Sequence, residues 1–252
     1  MSAQKPNDKF EKATEQSVAE QPMQLPLAVT LPDDELFDSF YQGGNEQLIA
    51  HLIDVIENQQ RSFSYTLIAG AKNSGKSHLL YASCVKAQEL GLSNVLLPLE
   101  QLVQMKPQLL DGLEQYDVVC IDNIEVIAGN RQWENALFYL FNLLDGAGKT
   151  LIMASSDIPT KLNLTLPDLV SRLDWGVSFQ TKALCDDDKV KALQMRAKLR
   201  GLTLSNEAGK FLISRLTRDI RSLIHALDRL DKASIAMQRK LTIPFIKSIL
   251  SL

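Results

Sequence analysis

Cysteine is scarce in this sequence. The three residues, Cys84, Cys120 and Cys185, stand far apart with no CxxC or Cys/His spacing, which speaks against both a zinc site and a disulfide framework and leaves reduced thiols. A basic excess is missing too. Lys and Arg number 27 against 30 Asp and Glu, for a formal net charge of -3, so the electrostatic footprint of a phosphate-backbone binder is absent and direct DNA binding is not the expectation. No stretch reaches about 18 uncharged apolar residues, and no apolar run at the N-terminus precedes a small-residue cleavage site. The expectation is a soluble cytoplasmic protein with no membrane contact. What the chain does have is 45% hydrophobic residues over 252 positions, enough for a sizeable core without staples.

Residues 1–22 hold one aromatic and almost no aliphatic side chain larger than alanine, too little apolar surface to offset chain entropy, and they read as a disordered tail. Residues 23–30, within "MQLPLAVTLP", turn abruptly apolar around two prolines that discourage helix. From residue 31 to 181 short apolar runs alternate with helix-length segments. "YTLIAG" (65–70), "NVLLPL" (94–99), "DVVCID" (117–122), "TLIMASS" (150–156) and "GVSFQ" (176–180) read as strands. Helices are expected over about 46–59, 76–90, 101–115 with an interruption at Pro107, and 133–144. That alternation argues for an α/β fold, a doubly wound parallel sheet covered on both faces. After Thr181 no strand-like run remains, and helices near 186–200, 205–217, 219–236 and 243–250 make residues 182–252 a small all-α domain, with Pro244 at a tolerated first-turn position.

"GAKNSGKS", Gly70 to Ser77, fits G-x-x-x-x-G-K-[ST] at every fixed position and lies between a predicted strand and a predicted helix, the context a phosphate-binding P-loop requires. Its glycines let the backbone approach phosphate, its N–H groups and helix N-terminus favour anionic oxygens, Lys76 reaches outer phosphates, and Ser77 is placed to ligate Mg2+. Asn73, Ser74, Gly75 and His78 complete the expected cofactor-binding stretch. "VVCID" puts the carboxylate of Asp122 at the C-terminal end of an apolar strand, where α/β sheets bind ligands, and gives it the Mg2+ through water. The next residue is Asn123 rather than a second carboxylate. An amide orients water but does not accept its proton at neutral pH, so intrinsic hydrolysis is expected to be slow by the ~10² to 10⁴ that a general base supplies. Glu125 lies beyond the strand end, where it caps or faces solvent. Asp157, after "LIMASS", either senses a terminal phosphate or caps the loop before Pro159. Arg172 in "LPDLVSRLDWG" ends a helix, and Arg221 in "RDIRSLIHAL" begins one; neither is diagnostic alone.

Together, "LPDDELFDSFYQGGNEQLI", "GAKNSGKSHLLYA", "VVCIDNIEVIAG", "LPDLVSRLDWG", "ALQMRAKLRGLTL" and "RKLTIPFIKSIL" resemble the AAA+ ATPases, and more narrowly the DnaA-related branch and its Hda family of regulatory inactivators, over roughly residues 24–252. The resemblance implies a P-loop AAA+ domain over 31–181 followed by a lid. It implies that Arg172 is an arginine finger acting on a neighbouring subunit's nucleotide, that Arg221 is the lid sensor of nucleotide in its own subunit, and that Asp157 is the first sensor. It also implies ADP (or ATP) with Mg2+ as cofactors, and DnaA and the DNA polymerase III sliding clamp as partners. "QLPLAV", Gln24 to Val29, stands where that family carries a clamp-binding peptide, with Gln24 making polar contacts and Leu25, Leu27 and Val29 filling clamp pockets; Ala28-Val29 departs from the Pro-Leu of relatives. The sequence ends at Leu252 after the lid helices, leaving no residues for the DNA-binding domain of the initiator, so contact with DNA is expected only through the clamp.

The function expected is negative regulation of replication initiation, by stimulating hydrolysis of DnaA-bound ATP from a clamp-docked position. The competing readings are a self-assembling AAA+ ATPase such as a helicase-loader relative, and an interaction module with a relic P-loop. An unused AAA+ face makes a homo-oligomer plausible.

Overall fold

The structure, a computed structural model, describes residues 35–58, 62–217 and 219–252. The expected tail and the peptide Gln24, Leu25, Leu27 and Val29 lie outside the described residues.

Among the described residues five strands form one parallel sheet: β1 Ser64–Ala69, β2 Asn94–Pro98, β3 Val118–Asp122, β4 Thr150–Ser155 and β5 Val177–Gln180, in the order β2-β3-β4-β1-β5. β3 and β4 are buried along their whole length, which is why their sequences are unbroken apolar runs and not an alternation. The connection from β1 runs toward β2 and that from β4 toward β5, so adjacent strands β1 and β4 lead away in opposite directions. A crevice at their C-terminal ends follows from that reversal.

Helices α1 Glu46–Glu57 and α2 Lys76–Glu89 pack together on one face. On the other face α4 Arg131–Ala147 packs against α5 Pro167–Leu173. Asn130 accepts the Trp133 N–H at the start of α4, and left-handed Gly148 closes its end, as cap chemistry demands. The region 101–115 departs from the helix expected of it. Only α3, Leu99–Leu102, is helical, followed by single 3-10 turns at Pro107–Leu110 and Leu113–Gln115. Pro107 holds Lys106 extended, and Gly112 enters the left-handed region at φ 81°, so the pattern is apolar but the backbone is punctuated twice.

The C-terminal helices are α6 Asp186–Leu199, α7 Asn206–Arg215, α8 Ile220–Met237 and α9 Ile243–Leu250. Ser205, Asp219 and Thr242 each accept a backbone N–H at the start of the last three, and three aspartates in the first turn of α6 face its positive end. Leu193, Leu212, Leu223, Leu227, Leu230 and Ile246 bury one shared core of their own.

Candidate functional site

At the C-terminal edge of β1 the chain makes the P-loop and enters α2. Asn73 and Gly75 take left-handed conformations at φ 63° and 94°, and the Ser74 N–H between them donates to the Ala71 carbonyl at 3.3 Å, closing the loop into a tight turn. A side chain on Gly75 would meet the Phe40 ring at 2.6 Å, so the position tolerates only hydrogen. The Lys76 ammonium donates to the carbonyls of Gly70 at 2.7 Å and Ala71 at 2.9 Å, and the residue is only 7% exposed. Burial lowers its pKa, opposed by the nearby Glu125 and Asp122. The loop thus holds its lysine against its own carbonyls.

Asp122 reaches this loop from β3. The Ser77 hydroxyl donates to its Oδ2 at 2.6 Å, while Oδ1 is buried with no hydrogen-bond partner. Burial raises its pKa against the pull of Ser77, the Asn123 N–H and Lys76. An orphaned buried carboxylate oxygen beside a hydroxyl is a donor set suited to Mg2+, which uses few protein ligands and completes its shell with phosphate and water. Consistent with so sparse a set, no group of three or more His, Cys, Asp or Glu able to cage a metal occurs among the described residues.

Asn123 is left-handed at φ 61° and precedes the 3-10 turn Ile124–Ile127. Glu125 on that turn accepts the Ser156 N–H at 3.1 Å, so the carboxylate near the acid strand ties β3 to the end of β4. Asp157 accepts the N–H of Ile158 at 2.8 Å and sits 3.5 Å from Lys161. Ser155 lies closer in, accepting the Gly70 N–H through its carbonyl at 3.1 Å.

His78 does not face the phosphate cradle. Its Nε2 lies 2.8 Å from the Leu36 carbonyl, and Arg196 of α6 donates to its Nδ1 at 3.0 Å, which fixes the proton on Nε2. Phe40 packs edge-on against its ring at 5.1 Å. His78 therefore joins the segment before α1, the P-loop helix and the first lid helix. Sequence reasoning missed three residues here: Phe40 over Gly75, buried Arg196, and Thr181, whose hydroxyl lies 2.7 Å from that of Ser74 and donates to Ala69. Only strand order brings Thr181 there, because β5 lies beside β1; no local signal marks it. Arg221, exposed in the first turn of α8, is close enough to Tyr81 of α2 to oppose the rise that burial, Glu35 and Asp122 impose on that phenol.

Arg172 stands elsewhere. α5 runs back from the end of β4 to the start of β5, where a side chain on Gly176 would collide with the Tyr65 carbonyl near the beginning of β1. Arg172, in the last turn of α5, therefore occupies the strand-start edge, opposite its own P-loop. Its side chain is 38% exposed, 3.9 Å from Asp145, and stacked by charge over Phe141 and Trp175 at 6.0 and 5.8 Å. With Ser171, Asp174 and Trp175 it lines an open depression of about 350 Å³.

A family profile described as the bacterial DnaA ATPase domain matches residues 31–180, and one described as the Hda lid domain matches 186–250. Domain III of the Thermotoga maritima replication initiation protein DnaA is similar at 20% identity and TM-score 0.72, covering 87% of this chain and 97% of that one. AMPPCP-bound DnaA from Aquifex aeolicus is similar at 23% identity and TM-score 0.67, over 81% and 67% of the two chains. The RuvB Holliday junction branch migration motor of Thermotoga maritima shares the fold at 15% identity and TM-score 0.62, over 83% and 68%. More than half of the chain matches the first profile, and the parallel sheet and P-loop are those of an AAA+ domain: the chain belongs to the bacterial DnaA ATPase-domain family and carries an Hda-type lid.

Proposed function

We propose that this protein is a nucleotide-bound AAA+ adaptor that docks on the DNA-loaded sliding clamp through Gln24 to Val29 and presents Arg172 to ATP held by DnaA, so that hydrolysis switches the initiator off. Family membership supports a DnaA-regulatory role in general. The observation that supports the finer reading is the position of Arg172: half-exposed, in one long ion pair, and at the edge opposite its own P-loop, it is better placed for another subunit's nucleotide than for its own.

In this reading the nucleotide, which the resemblance points to as ADP, supplies phosphate oxygens to the cradle together with Mg2+. The loop built by Gly70, Asn73, Ser74 and Gly75 wraps the phosphates, Lys76 donates to them, and Ser77 and Asp122 hold the cation. A DnaA of the same fold is described bound to AMPPCP. Arg221 and the Arg196–His78 contact then link the filled cradle to the lid. With Asn123 where a base would stand, turnover in this protein's own site stays slow. A trans arginine contributes 10³ to 10⁵ in rate, about 4 to 7 kcal/mol, which exceeds what the missing base costs.

The test is hydrolysis of ATP pre-bound to DnaA, with this protein and DNA-loaded clamp added together and each omitted in turn. Acceleration that needs both is the expected result. Rapid hydrolysis by the isolated protein would instead favour the self-assembling ATPase. Replacing Gln24 and Leu25 together by alanine should abolish clamp binding with circular dichroism unchanged, and unaltered clamp affinity would move the docking site elsewhere.

A further inference from the structure

Helix α5 is seven residues long and its N-cap, Leu166, offers no side-chain acceptor. Its entry is held by another helix. Glu134, in the first turn of α4 and 0% exposed, accepts the Leu166 N–H at 2.7 Å, the Thr165 N–H at 2.9 Å and the Thr165 hydroxyl at 2.9 Å. Its Oε1 accepts the Gly129 N–H at 2.8 Å, in the loop that leaves the Asn123–Ile127 turn. One carboxylate therefore joins the chain leaving the acid strand to the chain entering the helix of Arg172. Burial alone would raise its pKa, but these hydrogen bonds outweigh it and hold the group below the ordinary range.

The arrangement has the logic of a capping box supplied across two helices. α4 and α5 both run from the nucleotide edge of the sheet to the strand-start edge, and they touch along the way. Glu134 fixes the first end of α5, and Arg172 leaves from its last turn. Leu173 packs that last turn into the core at 0% exposure, while the arginine itself has only one long ion pair and two ring contacts, so its direction follows from how the helix is seated. Burying a charge only to tie two loops is costly compared with an apolar residue, unless the geometry it imposes is needed.

We propose that Glu134 is a positioning residue for Arg172, bracing the arginine helix against the turn that follows Asp122. The proposal rests on the trans-arginine reading above. Glu134→Gln keeps the volume but turns an amide toward N–H donors. Thr165→Val is milder, removing one donor and leaving the backbone bonds.

The experiment titrates each full-length variant against clamp-loaded DNA and ATP-bound DnaA, recording the plateau rate and the concentration at half-plateau. Amide exchange across residues 165–173 is followed in parallel. The plateau of Glu134→Gln should fall about ten- to a hundredfold, the loss that a misplacement near 1 Å brings, with half-plateau within about twofold and bound nucleotide retained. Exchange across α5 should quicken. Thr165→Val should lose about two- to fivefold of plateau, since its hydroxyl is one of several donors to the carboxylate and the backbone donors remain. A merely structural role removes active molecules, which shifts half-plateau and leaves the plateau where it was; that outcome, or an unchanged plateau, overturns the proposal. If Glu134→Gln does not fold, Thr165→Val decides by the same two numbers. If the unaltered protein fails to stimulate at all, the trans-arginine reading falls, and α5 exchange in Glu134→Gln still judges the brace: faster upholds it, unchanged overturns it.

Discussion

Two cations at opposite edges of one sheet are held in opposite ways. Lys76 is 7% exposed and makes two short bonds to its own loop, whereas the Arg172 side chain is 38% exposed with its nearest carboxylate at 3.9 Å. A buried ammonium is committed to the concavity around it, because leaving its partners unmet would cost more than any rearrangement returns. An exposed guanidinium in a long ion pair stabilises the fold by no more than about 1 kcal/mol and exchanges partners freely. In the proposed reading, the difference separates a group that holds a ligand in place from one that is available to a partner.

The sharpest way to break the comparison is Arg172→Ala. Stimulated hydrolysis of DnaA-bound ATP should drop by about 10³ or more, while nucleotide content, clamp binding and thermal midpoint stay as they were. Full residual stimulation would remove the contrast between the edges. Lys76→Ala should act in the reverse sense: affinity for ADP falls by about a hundredfold or more in calorimetry, and soluble yield falls with it, because the charge-assisted bonds to phosphate are gone. Normal nucleotide retention would show that the cradle does not depend on its lysine.

The smallest expected effect is a pH dependence at Glu134, which seats at the nucleotide edge the helix that carries Arg172 to the other. Its folded-state pKa is lowered, so the stability it contributes is present above the ordinary carboxylate range and is lost as pH falls through the folded value. Unfolding free energies from urea titration should separate unaltered protein from Glu134→Gln by about 1 to 3 kcal/mol at pH 7, and the gap should narrow as pH is taken below 4. A gap that does not change with pH would mean that the charge on Glu134 is not what holds the two loops.

Much of the nucleotide edge was legible in the chain because its chemistry is local. "GAKNSGKS" fixes loop, lysine and hydroxyl within eight residues, and "VVCID" ends on its acid at a strand terminus. The helix expected over 101–115 was misread because its apolar residues gave no weight to Gly112, whose left-handed backbone breaks the run. His78 was assigned to the cofactor by its neighbours in sequence, and the fold turned it toward Leu36 and Arg196 instead.

The sequence by itself determined the elements that carry their own signal: buried strands as unbroken apolar runs, the lid helices that begin after Ser205, Asp219 and Thr242, and the phosphate loop. Those signals act over a few residues. Only the tertiary structure decided which edge each charge would serve. The order β2-β3-β4-β1-β5 brings Thr181 to Ser74 across 107 positions and Glu134 to Thr165 across 31. It sends Arg172 to the edge away from Lys76. Strand order follows from how layers bury their faces together, a collective property that no window of the chain contains.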